Sequence, residues 1–240
     1  MATITIIGPG RLGTAAAAAL REAGHDVRTA GRPAVTHDPD TFEGVEVAVD
    51  TSVASAVAAN TAAALEGGVR RLLIATTGWD ADRTRVDALL RDQGAAAVVA
   101  PNFSLGTALF ARLVERAVEL FGTVEAFDPY LVEWHRRGKT DRPSGTANAL
   151  ARRIVETNPR LRDLEVVSVR AGASPGMHLV GFDAPGETVE LRITARDRSA
   201  YAAGVVAAAH WLLAMQRSPG IHAFDEVVDE LLRPAALAAA

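Results

Sequence analysis

The residues best equipped for chemistry lie between Glu133 and Ala147, which read Glu-Trp-His-Arg-Arg-Gly-Lys-Thr-Asp-Arg-Pro-Ser-Gly-Thr-Ala. One imidazole, His135, and one primary amine, Lys139, stand among the guanidinium groups of Arg136, Arg137 and Arg142. An imidazole titrates near neutrality and can deliver a proton in a reaction run there. Ser144 is a good helix cap, and Gly145-Thr146-Ala147 would open the helix it caps. The free N–H groups of a helix start bind anions, and Gly145 has no side chain to hold a ligand away from them. A proton donor beside such a cationic cradle suits a carboxylate-bearing substrate that must be protonated. The plainer alternative is a solvated basic loop ahead of a capped helix.

Several elements must position this segment. Residues 127–133 alternate in the manner of a strand, and residues 148–155 continue the helix. At the amino terminus, residues 3–7 read as a buried strand, followed at once by Gly8-Pro9-Gly10-Arg11-Leu12-Gly13 and an alanine-rich helix to about Ala23, with Gly24 as its C-cap. After a strand and before a helix, Gly8, Gly10 and Gly13 have the spacing of a dinucleotide turn. The glycines allow a tight bend and close approach to a pyrophosphate, with Arg11 and Leu12 in the same expected contact set. The second strand, residues 25–29, ends in Ala30-Gly31-Arg32 and lacks the acidic residue that binds a ribose 2′-hydroxyl. Arg32, with Arg28 shortly before it, predicts a 2′-phosphate contact, and so NADPH as the preferred cofactor over NADH.

Three more strand–helix passages follow. Residues 45–49 lead to Ser52, a cap for a helix running through Leu65. Residues 71–74 lead to Thr76-Thr77-Gly78-Trp79, then to a helix with Val86, Leu89 and Leu90 on one face. Residues 96–100 lead to Pro101-Asn102-Phe103-Ser104. Such alternation predicts a parallel sheet with helices on both faces and ligands outside the carboxyl ends of the strands. A helix over 107–120 carries Phe110, Leu113, Ala117, Leu120 and Phe121 as its expected core face. Residues 164–169, 178–182 and 188–193 then read as consecutive strands, hence a mostly antiparallel sheet. Helices over 201–215 and 224–232 close the chain. The expected fold is α/β: a Rossmann-like doubly wound parallel sheet plus a smaller α+β domain. The nucleotide domain would comprise residues 1–103 and 199–240, and the substrate domain residues 104–198.

The composition limits the function classes. The chain has 240 residues, a net charge of -4 and no cysteine. It has no thiolate chemistry and no excess of positive charge to draw nucleic acid or an anionic membrane. The first apolar run stops at Gly8, too short for a signal peptide or a span, so the cytoplasm is the expected location. No metal is expected.

The organising segment resembles the His-x-x-x-Lys-x-Asp-x-Pro-Ser-Gly-Thr-Ala signature of the dihydrodipicolinate reductases, matching at His135, Lys139, Asp141, Pro143, Ser144, Gly145, Thr146 and Ala147. Thr76-Thr77-Gly78, Asn102-Phe103-Ser104, Arg170-x-Gly172, Gly176-x-His178 and Glu187 are also similar to the family's pattern. The resemblance implies hydride transfer from NAD(P)H to 4-hydroxy-tetrahydrodipicolinate, giving tetrahydrodipicolinate in the diaminopimelate route to lysine. It implies His135 as proton donor and Lys139 as its catalytic companion and a carboxylate anchor. Arg136, Ser144, Gly145, Thr146 and Arg198 would bind the dicarboxylate. Thr76, Thr77, Gly78, Pro101, Asn102 and Phe103 would line the cofactor, and a homotetramer would form through the second domain's sheet. His178 is expected to be structural. Arg136 and Ile193 stand where the family usually has histidine. That keeps open a paralogue reducing another cyclic imine carboxylate in a specialised pathway. A non-catalytic NADPH-binding sensor would need the glycine turn but could lose the second motif.

Overall fold

The computed structural model describes residues 1–31, 39–197 and 199–233. Arg32 and Arg198, the expected 2′-phosphate and carboxylate contacts, lie outside the described residues. The chain forms two compact units, Met1–Leu105 with Arg198–Ala240, and Gly106–Asp197. Among the described residues no helix is long and apolar enough to cross a membrane.

The first unit holds the strands β1 (Thr3–Ile7), β2 (Asp26–Ala30), β3 (Val47–Asp50), β4 (Arg71–Ile74), β5 (Ala96–Val99) and, late in the chain, β10 (Gly220–Ala223). All six pair in parallel in the order β10-β5-β4-β3-β1-β2. Ile4, Ile6, Val47, Val49 and Leu73 are wholly buried, as the continuous apolar runs of a sheet covered on both faces require. Helices α1 (Arg11–Glu22), α2 (Val57–Glu66) and α3 (Arg83–Asp92) connect these strands. Two more, α6 (Ser199–Ala214) and α7 (Phe224–Leu231), come from the end of the chain. α6 buries Ala202, Val205, Ala208 and Leu212, and Gly204 is needed because a Cβ there would collide with the Phe103 carbonyl.

Two expectations are corrected in this unit. Ser52 caps no helix: its hydroxyl donates to Asp50 Oδ1 at 2.7 Å, and α2 starts only at Val57, after a short 3-10 turn over Ala54–Ala56. The nearer carboxylate outcompetes the helix end for the hydroxyl. β10 has only four residues and begins at a glycine, which left it without a strand pattern.

The second unit is built on β6 (Asp128–His135), β7 (Glu165–Arg170), β8 (Met177–Ala184) and β9 (Glu187–Thr194), in the order β7-β6-β8-β9. β6 runs parallel to β7, while the β6–β8 and β8–β9 pairs are antiparallel. Helices α4 (Leu105–Phe121) and α5 (Gly145–Thr157) share a core with this sheet, in which Phe110, Val114, Val118, Leu131, Leu150, Ile154, Val180 and Phe182 are buried. Leu113 and Leu120 do not belong to it. They are 61% and 52% exposed, because the buried stripe of α4 runs through Phe110, Val114, Ala117, Val118 and Phe121.

Candidate active site

Alternation along β6 points Leu131, Glu133 and His135 to the helix-covered face, while Tyr130, Val132 and Trp134 point away. His135 is the last residue of β6 rather than part of the following loop, so the strand fixes its backbone. Its neighbours come from both adjacent strands. In the parallel ladder Glu133 pairs with Ser168 and His135 with Arg170, and in the antiparallel ladder Glu133 pairs with His178. Register therefore gathers Glu133, His135, Ser168, Arg170 and His178, from three strands, onto one face of the sheet.

Glu133 lies at the centre, with no exposed surface. Its Oε1 accepts hydrogen bonds from Arg170 Nη2 at 2.6 Å, Ser168 Oγ at 2.7 Å and the Ser144 N–H at 3.1 Å. Burial works to raise its pKa, but the hydrogen bonds from Ser144, Ser168 and Arg170 outweigh it and hold the carboxyl down at about 2. Glu133 is thus ionised at neutral pH, with its charge offset by an equally buried guanidinium. Its second oxygen, Oε2, lies 2.8 Å from His135 Nδ1. The two are not aligned as a hydrogen bond, and neither has another hydrogen-bond partner among the described residues.

Burial pushes His135 below its ordinary pKa; Glu133 pulls it back up, while Lys139 and Arg170 push it further down. His178 meets His135 edge to face, with ring centroids 5.3 Å apart. Burial first, then His135, lowers His178 to about 4, which keeps it neutral. His178 Nε2 is 3.2 Å from Ser144 Oγ. That hydroxyl also accepts from the Ala147 N–H at 3.2 Å, so it caps α5 as its position ahead of Gly145 predicts. Gly145 is exposed, and the space a Cβ would fill is open. Thr146 is half-buried beside it.

The other predicted groups lie around this core. Lys139 Nζ is 2.7 Å from Asp141 Oδ1, and this pairing, above all its hydrogen bond, lowers the Asp141 pKa. Arg136 is exposed, and its carbonyl accepts from the Lys139 N–H in a tight turn. Glu133, His135 and His178 carry atoms of metal-ligand type within 4.8 Å of one another. The fit to a cation is poor: a guanidinium already binds the carboxylate and, being equally buried, offsets the negative charge that a cation would need.

At the nucleotide end, Gly8 has φ +89° and a Cβ on it would come within 2.8 Å of Ser52 Cα. A Cβ on Gly13 would meet the Gly8 carbonyl and Thr51 Oγ1, whereas Gly10 faces open space. Arg11, Leu12 and Gly13 form the first turn of α1, whose leading N–H groups have no partner within the helix. Asp50, at the end of β3, accepts from Ser52 Oγ and N–H, Asn60 Nδ2 and Thr76 Oγ1. The Thr76 side chain is thus turned inward, leaving Thr77 and Gly78 exposed above it. Pro101 is exposed and Asn102 half-buried, with its Oδ1 accepting from the Ser104 N–H at 2.8 Å. Phe103 packs against Phe224 and can offer a ligand only its backbone.

Sequence reasoning missed Glu133, Ser168 and Asp50 and assigned His178 to structure alone. Glu133 did carry a signal, since residues two apart on a strand share a face.

The chain is similar to known proteins along most of its length. Residues 2–103 match the family described as dihydrodipicolinate reductase, N-terminus, and residues 106–228 match dihydrodipicolinate reductase, C-terminus. The chain is 32% identical over 196 residues to a 4-hydroxy-tetrahydrodipicolinate reductase of Methanococcoides burtonii, covering 76% of this chain and 72% of that one. With the Archaeoglobus fulgidus protein of the same name the identity is 34% over 202 residues, covering 77% and 76%. Among solved structures, dipicolinate-bound dihydrodipicolinate reductase from Paenisporosarcina sp. TG-14 superimposes with a TM-score of 0.72 at 21% identity, covering 93% of this chain and 97% of that one.

Proposed function

The chain belongs to the dihydrodipicolinate reductase family, and from that premise we propose that it reduces 4-hydroxy-tetrahydrodipicolinate to tetrahydrodipicolinate, with NADPH as the preferred donor and His135 as the proton source. The observation that carries the assignment of roles is a buried imidazole at the end of β6, followed closely by a capped helix with an open glycine at its start. The nicotinamide cofactor supplies a hydride when bound, and Gly8, Gly10, Gly13 and the first turn of α1 are the residues that would hold its phosphates. Loss of the substrate's hydroxyl as water leaves a conjugated imine; as that imine accepts the hydride, electron density builds at its far end, and His135 meets it with a proton. Gly145 and Thr146 N–H groups, with Lys139 and Arg198, would hold the two carboxylates. Lys139 would exchange its bond to Asp141 for one to the substrate.

The preference for NADPH rests on Arg32. Arg32→Asp should weaken NADPH binding much more than NADH binding, and equal losses would remove Arg32 from the cofactor site. Apolar side chains on the outer face of the second sheet, with Trp134 39% and Val167 43% exposed, support a homo-oligomer, a tetramer by family resemblance. The exposed Arg136, in place of the family's histidine, supports the second reading, a paralogue with another cyclic imine carboxylate as substrate. One assay separates the two. NADPH oxidation should be fast with freshly generated 4-hydroxy-tetrahydrodipicolinate and slow with other cyclic imine carboxylates, and the reverse order would establish the paralogue.

A further inference from the structure

We propose that Glu133 is a positioning residue for the proton donor, holding His135 in its Nδ1–H tautomer so that Nε2 is the nitrogen that gives up the proton. The inference deepens the reading of His135 as the acid and rests on it. Its basis is a pair of buried atoms: Glu133 Oε2 and His135 Nδ1 lie 2.8 Å apart, and neither has another hydrogen-bond partner among the described residues. Buried polar groups are rarely left unpaired. A rotation of the imidazole about its Cβ–Cγ bond is the motion that would align the two as donor and acceptor. The carboxylate itself cannot turn away, because its other oxygen is held by Arg170, Ser168 and the Ser144 N–H.

The opposite edge of the ring supports the same assignment. His135 Nε2 lies where a Cβ on Gly176 would approach to 3.1 Å, and Gly176 has no such atom. Thus Nδ1 faces a fixed anion, and beside the Nε2 edge stands a glycine, where any side chain would crowd the ring. In the donor form both nitrogens carry hydrogen, Nδ1–H toward Glu133 and Nε2–H toward the substrate. On reaction the Nε2–H bond breaks, a bond from that proton to the reduced substrate forms, and neutral imidazole remains with Nδ1–H on Glu133. The charged groups around the ring are Glu133 on its own strand, Arg170 on β7, and Lys139 and Asp141 in the loop, with neutral His178 on β8. Of these, Glu133 is the carboxylate in contact with Nδ1. The same side chain also holds the first N–H ahead of α5, so one carboxylate orients both the acid and the anion-binding helix start.

Two measurements test this. In the wild-type protein, ¹⁵N NMR of the His135 ring, assigned by its loss in His135→Gln, should show the Nδ1–H tautomer at pH above its titration. A predominantly Nε2–H ring would overturn the proposal, with no dependence on how any variant folds. In Glu133→Gln, the amide oxygen can keep the three donors on the Oε1 side, which turns the NH₂ group toward Nδ1. The tautomer should then invert, kcat should fall by about 10²-fold or more, and the alkaline limb of the kcat/KM profile should move to lower pH. The Kd for NADPH should stay unchanged. A Glu133→Gln protein that loses melting temperature yet keeps the wild-type kcat and pH profile would show that Glu133 only supports the fold. Failure of the underlying reading would look different: His135→Ala would keep its kcat while the NMR result stood.

Discussion

At the scale of single residues, the site is defined by what surrounds each ring nitrogen of His135. Gly176 has a φ of +147° and sets no side chain against the Nε2 edge. Gly176→Ala strains the backbone and presses a methyl group against that edge. Displacing the donor by a fraction of an ångström should lower kcat by about 10–100-fold, while NADPH affinity, which depends on the other unit, stays at the wild-type value. Steady-state kinetics and a fluorescence titration with NADPH check both halves. Unchanged kcat in a folded Gly176→Ala protein would mean that Nε2 is not the working edge. His135, Lys139 and Ser144 were legible in the sequence because their motif is contiguous. Glu133 was not. A carboxylate near the end of a strand reads as solvent-facing, and the partners that keep it buried, Ser168 and Arg170, come from a strand that begins 32 residues later, reached only through the parallel register of β6 and β7.

At the scale of elements, α5 is held at its first turn by one hydroxyl serving two groups. Ser144 Oγ accepts from the Ala147 N–H and contacts His178 Nε2. Ser144→Ala should therefore cost more than an ordinary cap. Loss of the cap is worth about 1 kcal/mol, and a buried imidazole nitrogen left unpaired adds about 1–3 kcal/mol. Urea unfolding should show the combined loss, and the KM for a dicarboxylate should rise as the helix start frays. A loss under about 0.5 kcal/mol would place both contacts among the dispensable ones. The helix itself could be read from Pro-Ser-Gly-Thr ahead of an amphipathic run. The buried face of α4 could not, since Leu113 and Leu120 also recur at helical spacing and only the tertiary packing rejects them. The same limit applied to Ser52, where a good capping residue was claimed by Asp50.

At the scale of the whole molecule, two buried groups give the second unit a marked sensitivity to acid. His178 titrates near 4 when folded against an ordinary 6.5, and Glu133 near 2 against 4.5. The unfolded chain takes up both protons at higher pH than the folded one, so lowering the pH favours unfolding. The His178 contribution is complete above pH 6.5 and disappears as pH falls to about 4, and that of Glu133 disappears between 4.5 and about 2. Each is worth about 3 kcal/mol. Hydrogen exchange as pH is lowered should show residues 106–197 losing protection through both windows, and His178→Asn should flatten the upper one. The order of elements along the chain has a consequence of another kind. The sheet of the first unit takes its edge strand β10, and α1 takes its partner α6, from sequence that follows the whole second unit. During synthesis, α1 and the first five strands leave the ribosome long before those partners exist. At a translation rate of about 5–20 residues per second, making the second unit alone takes roughly 5–20 s. The continuous second unit is completed within that interval, so the nascent protein can assemble the buried cluster around Glu133 and His135 before its nucleotide-binding sheet is whole.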